Sequence, residues 1–213
     1  MREIVLDTET TGLDPGSGHR VVEIGCVELV NHMPTGKEFH KYIDPERDMP
    51  QEAFAVHGLS SDFLRGKPKF AEIADEFVEF IKDARLVIHN AEFDLRFLNA
   101  EFERLKLPRL DSSVAIDTVA MARRKFPGAQ ASLDALCRRF EIDLSVRDKH
   151  GALLDSQLLA EVYLELIGGR QPDLELVAER ERDSAGVTVQ RERREPRRDL
   201  PGARPSREEE AAH

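Results

Sequence analysis

Residues 3–12 read EIVLDTETTG, a short aliphatic run that leads into two carboxylates. The run Ile4–Leu6 is typical of a β-strand that is buried on both faces of a sheet. Side chains two positions apart in a strand point to the same face, so Asp7 and Glu9 are expected to project together from the end of this strand. The stretch therefore predicts a sheet that carries an acidic site at one strand end.

The rest of the chain predicts a hairpin followed by helices that alternate with short strands. Val21–Val30 and Glu38–Ile43 are rich in β-forming residues, and the Pro- and Gly-containing stretch Asn31–Gly36 joins them. This order predicts an α/β fold with a mixed central sheet flanked by helices over residues 1–169. The other expected elements are a short helix or loop at 50–59, helices at 70–82, 93–105, 132–140 and 152–167, a helix capped by Asp117, and strands at 85–89 and 114–116.

The bulk composition fits one folded domain with a charged tail. The chain has 213 residues, of which 40% are hydrophobic and 34% are charged. No apolar run approaches the roughly 18 residues that span a bilayer, and the first residues enter the strand directly, which leaves no room for a signal peptide. Residues 177–213 are rich in charged residues and proline and are expected to be disordered. Cys26 and Cys137 lie in apolar periodic segments and predict buried free thiols in a reducing compartment.

The formal net charge of −10 argues against a protein that holds nucleic acid by bulk electrostatics, because such proteins are usually basic. It is compatible with a protein that contacts a few nucleotides through metal ions, or that a partner carries to its substrate. The motifs described next outweigh the charge.

Two further carboxylates fall on the apolar faces of predicted helices. Asp94 shares a helical stripe with Phe97 and Leu98, and Asp155 shares one with Leu158 and Leu159, so both are expected to point inward. A cluster of four buried carboxylates is costly unless a cation neutralises it. Oxygen ligands suit Mg²⁺ or Mn²⁺ rather than Zn²⁺. The alternative is that each acid is a helix cap or half of an ion pair.

His150 lies five residues before Asp155, a spacing that places the two on different faces of one continuous helix. Gly151 indicates instead that His150 sits on the loop entering the helix, where it can lean over the carboxylates. A neutral imidazole in that position can accept a proton from water near pH 7. Four other histidines are interpreted as non-catalytic, namely His19, His32, His40 and His213. His89 is expected to make a local hydrogen bond at a strand end.

Three motifs together resemble a known family. Residues 7–12, DTETTG, resemble the exonuclease motif D-x-E-x-T; residues 89–94, HNAEFD, resemble N-x-x-F-D; and residues 150–155, HGALLD, resemble H-x-A-x-x-D. Three such motifs in this order and in the expected strand and helix contexts are specific for the DEDDh 3′→5′ exonucleases of the DnaQ superfamily. The resemblance covers roughly Met1 to Leu176 and implies an RNase H-like fold.

The resemblance also implies roles for individual residues. Asp7, Glu9, Asp94 and Asp155 match the ligands of two divalent metal ions, Mg²⁺ or Mn²⁺, and His150 matches the general base. The positions that contact the terminal nucleotide are matched by Glu52, His57 and Val56 together with Asp7, Glu9 and Asp155. Val56 is expected to act as an apolar wedge against the terminal base, and ordinary core packing is the alternative.

The implied function is removal of nucleoside 5′-monophosphates from DNA 3′ ends, as in family members that proofread for the bacterial replicative polymerase. The implied partners are a single-stranded or frayed DNA 3′ end, the alpha subunit of DNA polymerase III through residues 177–213, and a small theta-like subunit in some bacteria. The implied location is the cytoplasm, at the replisome. A DEDDh exoribonuclease and a non-catalytic nucleic-acid-binding scaffold are the alternatives.

The segment after the last predicted helix, residues 170–176, contains a short peptide of a different kind. Gln171, Leu174 and Leu176 have spacings that resemble the peptides by which bacterial replication proteins dock in the sliding clamp. The segment is therefore expected to bind the clamp. The alternative is a linker whose leucines fold back onto the domain.

Overall fold

The computed structural model describes residues 1–145 and 149–168. The chain divides into two units, Met1–Asp173 and Leu174–His213, and the described residues all belong to the first. The expected clamp peptide at 170–176 and the expected tail at 177–213 lie outside the described residues. Among the residues described, no helix combines the length and the apolar character needed to cross a membrane.

A five-stranded mixed sheet forms the centre of the domain, with the strand order β3-β2-β1-β4-β5. β1 pairs antiparallel with β2, and β2 pairs antiparallel with β3, whereas β4 runs parallel to β1 and β5 runs parallel to β4. The mixed sheet flanked by helices is therefore confirmed. The elements are β1 Arg2–Thr10, β2 Val21–Val30, β3 Met33–Tyr42, α1 Gln51–His57, α2 Ser61–Leu64, α3 Phe70–Ile81, β4 Arg85–Ile88, α4 Ala91–Arg104, β5 Ala115–Asp117, α5 Thr118–Lys125, α6 Leu133–Arg139 and α7 Ala152–Leu166.

The hairpin between β2 and β3 is tighter than the sequence predicts. Val30 pairs with Met33, so the connection is only Asn31 and His32, and both have positive φ angles, 50° and 64°. Two successive left-handed residues are typical of the type I′ turns that match the twist of a hairpin. The expected connection at 31–36 is therefore wrong, because Pro34 and Gly36 lie within β3 and a register shift between Val27 and Leu29 absorbs the irregularity.

The helices cover the two faces of the sheet, and the alternation of side chains along β1 determines which face each residue joins. Ile4 and Leu6 pack into the same cluster as Phe77 of α3 and Phe97 of α4. Val5, one residue out of step, packs with Leu159 and Tyr163 of α7. Helices α5 and α6 pack against the outer side of α7. Both cysteines are buried free thiols, as expected.

Helix α7 lies directly on β2 at Gly25. A Cβ atom added there would lie 2.2 Å from backbone atoms of Ala152 and Leu153, so no larger residue fits without moving the helix. The Ser156 hydroxyl donates a hydrogen bond of 2.8 Å to the Gly25 carbonyl at the same contact. This close approach fixes the first turn of α7, which carries Asp155, against the sheet.

Candidate active site

The four predicted carboxylates meet at the end of β1, and each reaches that point from a different direction. The side chains of Asp7 and Glu9 alternate with those of Leu6 and Thr8, so they lie on the face of the sheet that α7 covers. Asp155, in the first turn of α7, is 3% exposed. β4 runs parallel to β1, so α4, which follows β4, begins at the same edge of the sheet and brings Asp94 to it.

Thr8 links Asp94 to the strand. One oxygen of Asp94, Oδ1, accepts hydrogen bonds from the Thr8 backbone N–H at 3.1 Å and from the Thr8 hydroxyl at 2.7 Å. Asp94 is itself 3% exposed. Glu9, His150 and Asp155 also lie close together. One possible metal-binding atom from each of these residues lies within 4.8 Å of the other two. The predicted acidic cluster is thus brought together from β1, α4 and α7.

The electrostatics of the cluster favour a bound cation. Burial raises the pKa of Asp7 well above its ordinary value, and the neighbouring carboxylates Asp94, Glu9, Asp155 and Glu23 raise it further. The charged neighbours that raise it are all acidic. Such a group either holds protons or is neutralised by positive charge, and carboxylate oxygens are the donors that hard divalent cations prefer. The residues present therefore fit the divalent-metal cofactor of the DEDDh exonucleases.

His150 lies on the loop before α7, as predicted from Gly151. Its Nδ1 atom is 3.2 Å from Oδ2 of Asp155, and half of its side chain, 51%, is exposed. Its backbone N–H donates a hydrogen bond of 3.4 Å to the carbonyl of Val56. The imidazole therefore has one nitrogen against a carboxylate of the cluster while the ring remains open to solvent.

A cavity of about 590 Å³ borders the cluster on the side of α1, and we call it the α1 cavity. Its walls include Glu9 of β1 and the three residues expected to contact a terminal nucleotide, Glu52, Val56 and His57. Val56 is 49% exposed, so core packing, the alternative for this residue, is wrong. The Nδ1 atom of buried His57 accepts a hydrogen bond from the Leu59 N–H at 3.1 Å, and burial lowers the pKa of the ring.

The sequence did not single out several residues that border the site. Thr8 positions Asp94, and Leu13, 78% exposed, lies at the wall of the α1 cavity. A larger cavity of about 940 Å³ lies beside the carboxylates and extends to Arg123 and Gln130. His89 makes a hydrogen bond at the end of β4, as expected, but its partner is not local, because its Nδ1 atom lies 2.9 Å from the hydroxyl of Thr118, 29 positions away. His89 also lines this cavity. The exposed residues Leu13, Arg123 and Gln130 show no periodicity that a sequence pattern can detect, and the buried Thr8 acts through a contact between distant segments.

The pKa of Asp94 leads to a prediction about stability in the absence of metal. Burial raises this pKa to about 7, against opposing hydrogen bonds from Thr8, whereas an unfolded aspartate titrates near 3.9. Between about pH 4 and 7 the folded state retains a proton that the unfolded state has released, so this group makes the free energy of unfolding fall as pH rises. In thermal melts with chelator, the melting temperature of Asp94→Asn should exceed that of the parent by an amount that grows between pH 5 and pH 8. A constant difference would contradict the raised pKa.

Comparison with known proteins places the chain among exonucleases. The family model described as exonuclease matches residues 4–163. The DNA polymerase III subunit epsilon of Rickettsia felis is 58% identical over 180 residues, which is 83% of this chain and 79% of that protein. The protein of the same name from Escherichia coli K12 is 49% identical over 198 residues, 89% of this chain and 82% of that protein.

Solved structures agree on the fold. Exonuclease X in complex with 5′ overhanging duplex DNA aligns with a TM-score of 0.61 at 24% identity, over 77% of this chain and 90% of that one. The nuclease domain of 3′hExo, a DEDDh family member bound to rAMP, aligns with a TM-score of 0.68 at 19% identity, over 78% and 91%. The RNase H-like exonuclease fold expected from the sequence is therefore confirmed.

Proposed function

The chain belongs to the exonuclease family that its residues 4–163 match, and from that membership we infer that it is a proofreading 3′→5′ DNA exonuclease of a bacterial DNA polymerase III. The observation that carries this function is the meeting of Asp7, Glu9, Asp94, Asp155 and His150 at one strand end. The chain is therefore an enzyme, and it acts as part of a replicative polymerase on DNA. The intact set of five residues argues against a non-catalytic scaffold.

Members of this family use divalent metal ions. We propose two ions, Mg²⁺ or Mn²⁺, held by Asp7, Glu9, Asp94 and Asp155. When bound, such ions lower the pKa of water and stabilise the negative charge that develops on a leaving oxygen. Bound ions would also stabilise the charged carboxylates, because positive charge offsets the mutual repulsion that contributes to the raised pKa of Asp7.

In the proposed mechanism, His150 is the general base. His150 Nδ1 lies 3.2 Å from Asp155 Oδ2, and in the tautomer that carries its proton on Nδ1 the ring accepts the proton of the attacking water at Nε2. The water oxygen bonds to phosphorus at the last phosphodiester, the bond from phosphorus to the 3′ oxygen of the penultimate nucleotide breaks, and that oxygen takes up a proton from solvent to become the new 3′-hydroxyl. The products are a nucleoside 5′-monophosphate and a strand shorter by one nucleotide. Asp155 stabilises the imidazolium that forms.

The cavity beside α1 is proposed to hold the terminal nucleotide. Glu52 and His57 supply polar contacts there, Val56 presents an exposed apolar surface to the base, and Asp7, Glu9 and Asp155 line the approach to its phosphate. A strand must be unpaired to reach such a pocket, and unpairing costs least at a mismatch. The geometry therefore supports preferential removal of mispaired ends.

Partners are proposed from the family and from the sequence. The alpha subunit of the polymerase is proposed to bind residues 177–213, and a theta-like subunit is proposed as a partner in bacteria that have one. The exonuclease is proposed to act in the cytoplasm, at the replisome. Gln171, Leu174 and Leu176 are proposed to dock in the sliding clamp. Titration of purified clamp with the parent and with a Gln171→Ala, Leu174→Ala variant tests the last proposal, and equal affinities would reject it.

The proposed function is tested with a primer that carries a 3′-terminal label and a mispaired end. We expect release of labelled mononucleotide that requires Mg²⁺ and is faster than release from the matched primer. A primer with a 2′-OH at its last residues separates the DNA enzyme from an exoribonuclease. Faster release from the RNA end would favour the ribonuclease, and absence of release from every primer would favour a scaffold.

A further inference from the structure

A group of cations stands out on this acidic chain. The net charge is −10, yet residues 118–140, which span α5 and α6, contain five cationic side chains and one anionic one. The cations lie in the last turns of the two helices, at Arg123, Arg124 and Lys125 in α5 and at Arg138 and Arg139 in α6. All five are exposed. The surface of α5 and α6 therefore carries a charge opposite to that of the whole protein.

Three of these cations line two neighbouring cavities, one of which contains active-site carboxylates. Arg123 lines the cavity of about 940 Å³ that also contains Asp7, His150 and Asp155. Arg138 and Arg139 line a neighbouring cavity of about 500 Å³. Ala129 and Gln130 belong to the walls of both cavities, so the two cavities adjoin. We call Arg123, Arg138 and Arg139 the cationic track.

The remaining two cations are placed differently. The Nζ atom of Lys125 donates hydrogen bonds to the carbonyls of Glu165 and Leu166, at 2.9 and 3.0 Å, and so caps the end of α7. Arg124 lines neither cavity. Cations at helix ends favourably offset the helix dipole, which accounts for Lys125. The helix dipole does not account for Arg123 and Arg138, which line the two adjoining cavities. It also does not account for the guanidinium of Arg139, which lies 4.5 Å from the centre of the Phe126 ring.

We propose that the cationic track binds the phosphates of the DNA strand upstream of the bond that is cut. The inference rests on the proposed function and adds the path of the strand. The terminal nucleotide is placed in the α1 cavity, on one side of the carboxylates, and the cavity beside Arg123 lies next to the same carboxylates and leads away from them. A strand that passes through the site leaves by that cavity.

The positive charge of the cationic track supports a polyanionic strand as its occupant. Glu92, Asp117 and Asp134 also line the larger cavity and repel phosphate, so an approaching strand requires cations close to its path. The track supplies them where the acidic residues end. Because each cation that neutralises a phosphate releases counterions, this part of substrate binding depends on salt.

The test compares a long substrate with one that lacks the upstream strand. Full-length protein is assayed on a single-stranded oligonucleotide and on the p-nitrophenyl ester of thymidine 5′-monophosphate. For Arg123→Gln, Arg138→Gln the ratio of kcat/KM on the oligonucleotide to that on the ester is expected to fall by about tenfold. The dependence of log kcat/KM on log salt is expected to flatten by about 0.7 for each phosphate that the variant no longer neutralises.

Two variants serve as controls. Arg124→Gln removes the same charge from the same helix turn outside the cleft and is expected to keep the ratio and the salt slope of the parent. Arg123→Lys retains the charge and is expected to retain the salt slope. Thermal melts of all variants check that the fold is intact.

The other outcomes overturn the proposal. Equal ratios for the double variant and for Arg124→Gln would show that the track does not bind the strand. Equal losses on both substrates would assign the arginines to the shape of the active site. Loss of binding to an acidic partner protein with unchanged DNA kinetics would assign the track to that partner. A parent that hydrolyses neither substrate would overturn the proposed function itself, and the track with it.

Discussion

Replacing Asp7 by asparagine is expected to remove nearly all nuclease activity, a loss of about 10³-fold or more in kcat, while the fold survives. Removing one electrostatic stabiliser from an active site commonly costs on the order of 10²–10³-fold, and Asp7 is proposed both to hold metal and to approach the phosphate. The measurement is mononucleotide release at saturating Mg²⁺. Asp62→Asn makes the same chemical change on an exposed surface of α2, where the aspartate pairs with Arg65, and is expected to retain activity.

The same Asp7→Asn variant is expected to be more stable than the parent when metal is absent. The pKa of Asp7 is raised because burial and four neighbouring carboxylates oppose its charge, so neutral asparagine relieves that repulsion at pH 7. Millimolar Mn²⁺ is expected to raise the melting temperature of the parent, because the ion binds only the native site. An equal rise in Asp7→Asn would reject the assignment of Asp7 as a metal ligand.

The parts of the fold that follow from local rules could be predicted from sequence. The two-residue period of a strand placed Asp7 and Glu9 on one face, and the 3.6-residue period of a helix placed Asp94 and Asp155 among buried apolar residues. Both helical carboxylates are indeed buried at 3% exposure. Such rules act over a few residues, so a single sequence contains all the information they need.

Contacts between distant segments were not predictable in the same way. The hydrogen bonds from Thr8 to Asp94 join residues 86 positions apart, and the Ser156 hydroxyl bonds to the carbonyl of Gly25 across 131 positions. The need for glycine at position 25 depends on the approach of α7, which no local pattern describes. The short turn at Asn31 and His32 was missed for another reason, because Pro34 and Gly36 gave a stronger loop signal than asparagine did.

The cationic track illustrates the same limit for function. The net charge of −10 argued against nucleic-acid binding because composition averages over the whole surface. The structure separates that charge into acidic walls and a group of arginines beside the active site. A strand of DNA responds to the local potential along its path, which screening limits to about 10 Å at moderate salt. The composition therefore gives the correct net charge but no information on how that charge is distributed over the surface.

Replacing His150 by glutamine is expected to lower kcat by about 10²–10⁴-fold, the usual cost of losing a general base. The pH–rate profile of the parent should have an acid-side limb, because an imidazole that is already protonated cannot accept the proton of the attacking water. That limb should vanish in His150→Gln. Rates of mononucleotide release between pH 5 and pH 9, at saturating metal and substrate, provide the measurement.

The geometry also permits a different role for His150, and the same variant distinguishes the two. One ring nitrogen lies within 4.8 Å of ligand atoms of Glu9 and Asp155, close enough for the imidazole to be a metal ligand. If the neutral imidazole of His150 is a metal ligand, its replacement lowers the affinity of the site for metal. If His150 is a general base that faces solvent, its replacement leaves that affinity unchanged. Because half of the side chain is exposed and Nδ1 is directed at Asp155, we expect His150→Gln to retain the stabilisation by Mn²⁺ that Asp155→Asn loses. The reverse pattern would make His150 the ligand and leave the general base to be found elsewhere in the cleft.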